Sequence, residues 1–492
     1  MEGDAVGAFE LIPAIEPSLL PNGEKISTIE LSGSDTLYMG TCNGLILDYK
    51  LHSRNLGQEN ASSAQLRRVK ELNPRLNNSP VTFLRSASAL DRLLVLCDST
   101  LTVLNASDLS PLSSFAGASK LKGVGACCVN ENSTNNDPFS VQLCLAKKKQ
   151  LAVISISEVQ IKVDKIKDVS EPVKAVGMDG NYICAALNAH YIVFDIGTGS
   201  CQDLFPFEDG QIPIVTRIAK EEFLLCAPGG LGMFVTASTG ISERPPIQWM
   251  QGSRFCSVQK CIYYDPYVIA LTSSDAVSEE NTGDSIIVYS ISDQKSKQIL
   301  PFFGGNGVGN YDGSLLVSSA KSVYRIQPIS AQIQIESLLA NNLIEEALSL
   351  AERSEAKLRS RSMMKETSQE NSETRLLEDT INRTYQMAGF NFMKHMNLMK
   401  AKSLLEKGCI DPRELICLWP RLLPSSSSFT RSITPRPLHS IADINQLSTT
   451  APIFQGPATG GINKYENLEK LSCFLTDVLE DQRSREGERC MF

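Results

Sequence analysis

The stretch Val173–Ile196, VKAVGMDGNYICAALNAHYIVFDI, decides the fold. It holds three short apolar runs, Val173–Met178, Tyr182–Leu187 and Tyr191–Ile196, broken by Asp-Gly-Asn and by Asn-Ala-His. Short β-branched and aromatic runs separated by turn formers read as consecutive antiparallel strands. Working outward, the same triplet recurs. Before it stand Ile26–Leu31, Thr36–Gly40, Leu45–Lys50; Val81–Arg85, Leu93–Cys97, Leu101–Asn105; and Val124–Val129, Val141–Ala146, Leu151–Ile156. After it come Ile212–Ile218, Phe223–Ala227, Gly232–Thr236; then Phe255–Tyr264, Tyr267–Thr272, Ile286–Ile291. A last unit shows Ser314–Ser319 and Val323–Gln327, with a first strand near Phe302 that the pattern defines poorly. The middle strands recur roughly every 40 to 55 residues, the spacing of propeller blades. Seven units predict a seven-bladed β-propeller over residues 1–328, with the early strand Ala8–Ile12 completing the last blade and covering its open edge.

Cysteine recurs in the middle strand of four consecutive units, at Cys97, Cys144, Cys184 and Cys226. It reads as a small buried hydrophobe between blades. A metal reading fails because no CxxC spacing is present and thiols on separate blades cannot share one ion. Past Pro328 the apolar period changes from two to about 3.6. Ile333, Ile335, Leu338, Leu339, Leu343, Ile344, Ala347, Leu348 and Ala351 form one stripe. Asn341-Asn342 divides it into two helices. Arg353–Glu373 reads as a long loop or loosely helical spacer, and Thr374–Met387 with Phe390–Leu405 as a helix pair turned at Gly389. Asp411-Pro412 supplies an N-cap and a first-turn proline for another helix. Residues 329–423 are therefore expected to start a short α-solenoid, 424–461 to be a disordered Ser/Pro/Gly linker, and 462–492 to carry the helix of an incomplete solenoid. Its apolar stripe, with no hairpin after it, reads as a truncated product or a fragment.

Composition narrows the function. Over 492 residues, hydrophobic residues are 42%, charged residues 21% and the formal net charge −8. That balance argues against a nucleic-acid groove, which leaves a basic footprint. The short basic stretches Lys147–Lys149 and Arg353–Lys365 read as a hairpin tip and a solvated face. The start of the chain has no basic region followed by an apolar run, and no window reaches the ~20 apolar residues of a membrane span. Fourteen scattered cysteines then read as reduced thiols in a cytoplasmic protein. No phosphate loop, zinc-protease helix or nucleophile elbow occurs. Gly305-Asn306-Gly307-Val308-Gly309 reads as a turn. His52, His190, His395 and His439 lie in separate segments, and Met393, Met396 and Met399 read as one packed helix face. No catalytic, cofactor-binding or metal-binding residue is nominated, no cofactor is expected, and the chain is not expected to be an enzyme.

Several stretches carry a family resemblance. Gly180–Cys184, Tyr191–Asp195, Glu222–Cys226, Leu231–Val235, Pro246–Trp249 and Tyr267–Leu271 stand in the order of a citron homology (CNH) domain, which Val141–Ile291 resembles. Leu338-Leu339-Ala340, Glu345–Leu348, Asp411–Ile416 and Trp419–Pro424 are similar to the vacuolar sorting tether subunits of the CORVET and HOPS assemblies, on the branch of the transforming growth factor-beta receptor-associated proteins. The resemblance implies a non-enzymatic tethering subunit, peripheral on early endosome membranes through its partners. It implies a propeller that meets a Rab GTPase, early endosomal in preference, and helices that join the class C vacuolar sorting core. The family continues through a longer solenoid to the element that docks on that core. A HOPS-type late-endosomal subunit, or an adaptor for transforming growth factor-beta receptors and Smad proteins, are the alternatives it implies. No Rab-binding residue follows from it.

Overall fold

The computed structural model describes residues 7–52, 64–72, 79–112, 121–133, 137, 139–208, 210–251, 254–273, 284–364, 372–395, 397–418, 473 and 476. The expected linker 424–461 and the expected last helix lie outside them, apart from positions 473 and 476. Two compact units divide the chain, one being Phe9–Pro328 and the other beginning at Ile329.

The first unit is a seven-bladed propeller. Strand β1 (Phe9–Ile15) precedes the blades. Blade 1 is β2 (Ile26–Ser32), β3 (Thr36–Thr41), β4 (Leu45–Leu51) and β5 (Ala64–Glu71); blade 2 is β6 (Val81–Ala87), β7 (Arg92–Cys97) and β8 (Thr100–Asn105). Blade 3 is β9 (Val124–Val129), β10 (Ser140–Lys147), β11 (Gln150–Ser157) and β12 (Ile161–Asp168). Blade 4 is β13 (Ala175–Asp179), β14 (Tyr182–Ala186), β15 (His190–Asp195) and β16 (Cys201–Pro206). Blade 5 is β17 (Val215–Ala219), β18 (Glu222–Ala227), β19 (Leu231–Thr236) and β20 (Gly240–Ile241), with β21 (Ile247–Gln248) also on β19. A small ladder of β22 (Met250–Gln251) and β23 (Arg254–Phe255) leads to blade 6, which is β24 (Ser257–Tyr264), β25 (Tyr267–Ser273), β26 (Ser285–Ser290) and β27 (Lys295–Pro301). Blade 7 is β28 (Gly305–Tyr311), β29 (Ser314–Ser319) and β30 (Val323–Pro328), and β1 pairs antiparallel with β30 to complete it.

The first strands stand side by side around a central channel, and β28 adjoins β2 to close the ring. The core is a series of sandwiches between neighbouring blades. In β14, Ile183 and Ala185 join the cluster shared with blade 3, while Cys184 and Ala186 join that shared with blade 5. Both faces of a middle strand are thus buried, so it reads as an unbroken apolar run rather than an alternation. The four recurring thiols are all buried, but they do not share one setting. Cys97 packs with blade 1, whereas Cys144, Cys184 and Cys226 pack with the blade that follows their own. Tyrosine hydroxyls tie blades together: Tyr38 donates to the Ala106 carbonyl at 3.0 Å, Tyr191 to Cys226 at 2.9 Å and Tyr311 to Ile29 at 2.6 Å.

Three readings of the sequence are corrected. Gly305–Gly309 is part of the innermost strand of blade 7, not a turn. Crowding favours glycine there: a Cβ would come within 2.5 Å of Leu271 at Gly305, 2.6 Å of Ser318 at Gly307 and 2.4 Å of the Tyr311 ring at Gly309, and those side chains would have to shift. In the second unit the helices are α1 (Ala331–Ala340), α2 (Ile344–Met364), α3 (Ser372–Lys394), α4 (Leu398–Lys407) and α5 (Pro412–Ile416). Helix α2 therefore runs well into the expected spacer, and α3 passes straight through Gly389. A Cβ at Gly389 would lie 2.6 Å from Leu405, so this glycine lets α4 approach α3 rather than turning the chain. The turn comes at Asn397, whose side chain caps α4 by accepting from the Lys400 amide. Ser330 and Asp411 cap α1 and α5 in the same way.

Ile15 on β1 is fully buried and Glu10 is exposed. Ile15→Ala should cost about 2–5 kcal/mol of propeller stability in chemical denaturation. Glu10→Ala should stay within about 0.5 kcal/mol of the parent. Equal effects of the two would show that β1 does not close the ring.

Candidate functional site at the channel mouth

Turns joining the first and second strands of each blade gather at one end of the channel. They open on a cavity of about 1030 Å³. Three first strands place a charged residue there, Glu30 on β2, Arg85 on β6 and Arg217 on β17. Asp179 ends β13 and Glu131 follows β9 in the turn to β10. Together they make a charged chain through five blades.

Asp179 is the buried anchor, with its side chain 1% exposed, and it accepts from Arg217 Nε at 2.5 Å. It also accepts from Asn132 Nδ2 at 2.7 Å and from the Glu221 amide at 2.6 Å. A buried carboxylate satisfied from three directions fixes the guanidinium that it holds. Arg217 Nη1 then reaches Glu131 Oε2 at 2.9 Å, and the other oxygen of Glu131 takes Arg85 Nη2 at 3.3 Å. Behind Arg85 lies Glu30, which accepts from the Ser86 amide at 2.8 Å and stands 3.9 Å from Arg85 Nε.

Glu30 is 4% exposed. Burial raises its pKa from an ordinary 4.5 to about 7, against the pull of Arg85 and the Ser86 amide, and with a smaller push from Asp312 and Glu131. Around this mouth the same turns carry Asp35, Asp91, Glu221, Asp265 and Asp312, all exposed or half-buried. The arrangement offers charge recognition on a fixed frame. Among the described residues, nothing in it pairs a nucleophile with a base.

Sequence reading nominated no site residue, and it passed over these five. A signal was present: Ile29-Glu30-Leu31, Leu84-Arg85-Ser86 and Thr216-Arg217-Ile218 each place a charge inside an innermost strand. The histidines, the methionines and the lysine turn fall elsewhere. His190 lies on β15, 3.7 Å from Asp203, and His439 is outside the described residues. Met393 is buried in the helical core on α3, but Met399 is 85% exposed on α4, so the two do not share one helix face. Met396 is outside the described residues. Lys148 and Lys149 form the exposed β10–β11 turn. Among the described residues, no three or more His, Cys, Asp or Glu stand where they could hold a metal ion, and no helix is long and apolar enough to cross a membrane.

A family model described as the CNH domain matches residues 34–297. The chain is 36% identical over 489 residues to transforming growth factor-beta receptor-associated protein 1 of Homo sapiens, covering 98% of this chain and 51% of that protein. The Danio rerio homolog is 37% identical over 488 residues, 98% of this chain and 50% of the homolog. The Vam6/Vps39-like protein of Homo sapiens is 21% identical over 483 residues, 97% of this chain and 48% of that protein. The chain thus spans about half the length of the curated relatives it matches. Among solved structures it is similar to the AfRom2 CNH domain (TM-score 0.44, 14% identity, 65% of this chain and 99% of that one). The Neurospora crassa Pan2 WD40 domain overlaps likewise (TM-score 0.47, 12% identity, 66% and 97%).

The Glu30 shift predicts a pH dependence. Between pH 4.5 and 7 the folded protein holds this proton and the unfolded chain does not, so rising pH removes stability across that window. Glu30→Gln lacks the titration. The stability of the variant relative to the parent should rise by roughly 2–3 kcal/mol from pH 4.5 to 7.5 in parallel denaturation curves. A constant difference across the range would place the Glu30 proton elsewhere.

Proposed function

We propose, for a chain that belongs to the CNH-domain family and fits the family of transforming growth factor-beta receptor-associated and Vam6/Vps39-like proteins, that it is a CORVET-type tethering subunit of early endosomes that binds a Rab GTPase. Homology to these proteins supports the coarser statement, a vesicle-tethering or sorting scaffold that works through protein partners. The observation that carries the reading is the alignment to the receptor-associated relatives over 98% of the chain, propeller and helices together.

The physical features agree with a scaffold. A propeller presents a rigid disc whose turns vary freely while the interblade sandwiches stay the same. The helical unit packs its own apolar core, from Ile335 on α1 to Leu415 on α5, and repeat helices of this kind expose extended surfaces for partners. Membrane association would come through the GTPase and the class C core. The 21% identity to the Vam6/Vps39-like protein favours a HOPS-type, late-endosomal role as the second reading, and the names of the receptor-associated relatives suggest receptor binding as a further one.

The whole chain, immobilised, should bind an early endosomal Rab loaded with a non-hydrolysable GTP analogue at least about tenfold more tightly than the same Rab with GDP. A preference for a late endosomal Rab would move the assignment to the HOPS side. Absence of nucleotide preference for any Rab would overturn the GTPase reading.

A further inference from the structure

The channel mouth presents two guanidinium groups, one of them hydrogen-bonded from behind, both met in front by one replaceable carboxylate. Arg217 is oriented by buried Asp179, and Asp179 is itself held by Asn132 and the Glu221 amide. Arg85 has buried Glu30 behind it, 3.9 Å from its Nε and anchored on the Ser86 amide. Both arginine side chains remain about 30% exposed (31% for Arg85 and 30% for Arg217), and each turns a terminal nitrogen to the mouth. There they take the two oxygens of a single side chain, Glu131, which is 51% exposed. Two guanidinium groups on one carboxylate make a geometry that any carboxylate can satisfy. Because the Glu131 pairs are exposed to water, exchanging them for another carboxylate costs little. The Asp179 frame that holds Arg217 is buried and stays in place, and such preorganisation favours binding.

What surrounds the fork selects among carboxylates. Asp312 lines the cavity, and Asp35, Asp91, Glu221 and Asp265 stand on the corresponding turns of four other blades, Asp35 being 3.9 Å from Lys50. A uniformly acidic segment meets repulsion from this rim. A uniformly basic one meets the arginines at the centre. The cavity of about 1030 Å³ leaves room for a side chain to enter.

We infer that the channel mouth is a docking site for a protein segment carrying one carboxylate flanked by basic residues, the carboxylate replacing Glu131 between Arg85 and Arg217 and the basic residues meeting the acidic rim. The site goes beyond the tethering reading and does not depend on it, because its test needs no GTPase. A failed Rab assay would leave it standing, and its own failure would leave the Rab assay untouched.

The test uses the whole chain and three capped heptapeptides at low ionic strength, with affinities from calorimetry. One peptide has a central glutamate with three lysines on each side, one has glutamine at the centre of the same lysines, and one is all glutamate. The glutamate-centred peptide should bind about tenfold more tightly than the glutamine-centred one, and the all-glutamate peptide should not bind. Glu131→Gln removes the internal competitor and should strengthen the glutamate-centred peptide several-fold, while the glutamine-centred peptide gains nothing. Arg85→Gln should abolish the preference for a central carboxylate, with thermal unfolding confirming that the variant folds. Should that variant fail to fold, Glu131→Gln still decides, since it leaves Asp179–Arg217 intact. Equal binding of the two lysine-flanked peptides, no binding of either, or a Glu131→Gln variant unchanged toward the glutamate-centred peptide would each overturn the proposal.

Discussion

Each middle strand of the ring is pressed between two neighbouring sheets, and that pressure on both faces governs the rest of the propeller. Ile183 and Ala185 look one way while Cys184 and Ala186 look the other. Neither set can be polar. A blade removed from its neighbours would expose both sandwiches, so the blades hold together as a closed set or lose their core. Closure itself is supplied by β1, which brings the start of the unit against its last strand.

Packing of this kind is what made the fold legible. Strands buried on both faces are short, apolar and punctuated by turn formers, and this remains visible without coordinates in Val173–Ile196. Legibility failed where glycine had a second use. Gly305, Gly307 and Gly309 look like a turn because turns favour glycine, yet they serve a strand crowded by Leu271, Ser318 and Tyr311. Gly389 misled in the same way, since the closeness of Leu405 is a tertiary fact. The channel mouth was illegible for a different reason. Glu30, Arg85, Glu131, Asp179 and Arg217 are spread over most of two hundred residues, and only the ring brings them together. A charge inside an innermost strand was the single local hint, and it has meaning only once the strand is known to be innermost.

The two units solve the same problem with related means. In the propeller, hydroxyls such as that of Tyr191 cross between blades to satisfy carbonyls at sheet ends. In the helices, Tyr385 on α3 donates to Glu355 on α2 at 2.7 Å, and close approach at Gly389 brings α4 onto α3. A tyrosine at the boundary of two elements buries its ring and still places its polar end, which suits a structure built from many similar layers.

Strand β30 is held by β29 on one side and β1 on the other, and its end at Pro328 continues directly into the helices. Tension delivered through the helices therefore arrives at a strand gripped in two ladders at once. Drawn along its own axis, β30 must shear the register from Phe9–Pro328 to Ile15–Val323 together with its pairing to β29, so many hydrogen bonds resist together instead of parting one by one. The seam that shuts the ring is also the place where the disc would bear mechanical strain.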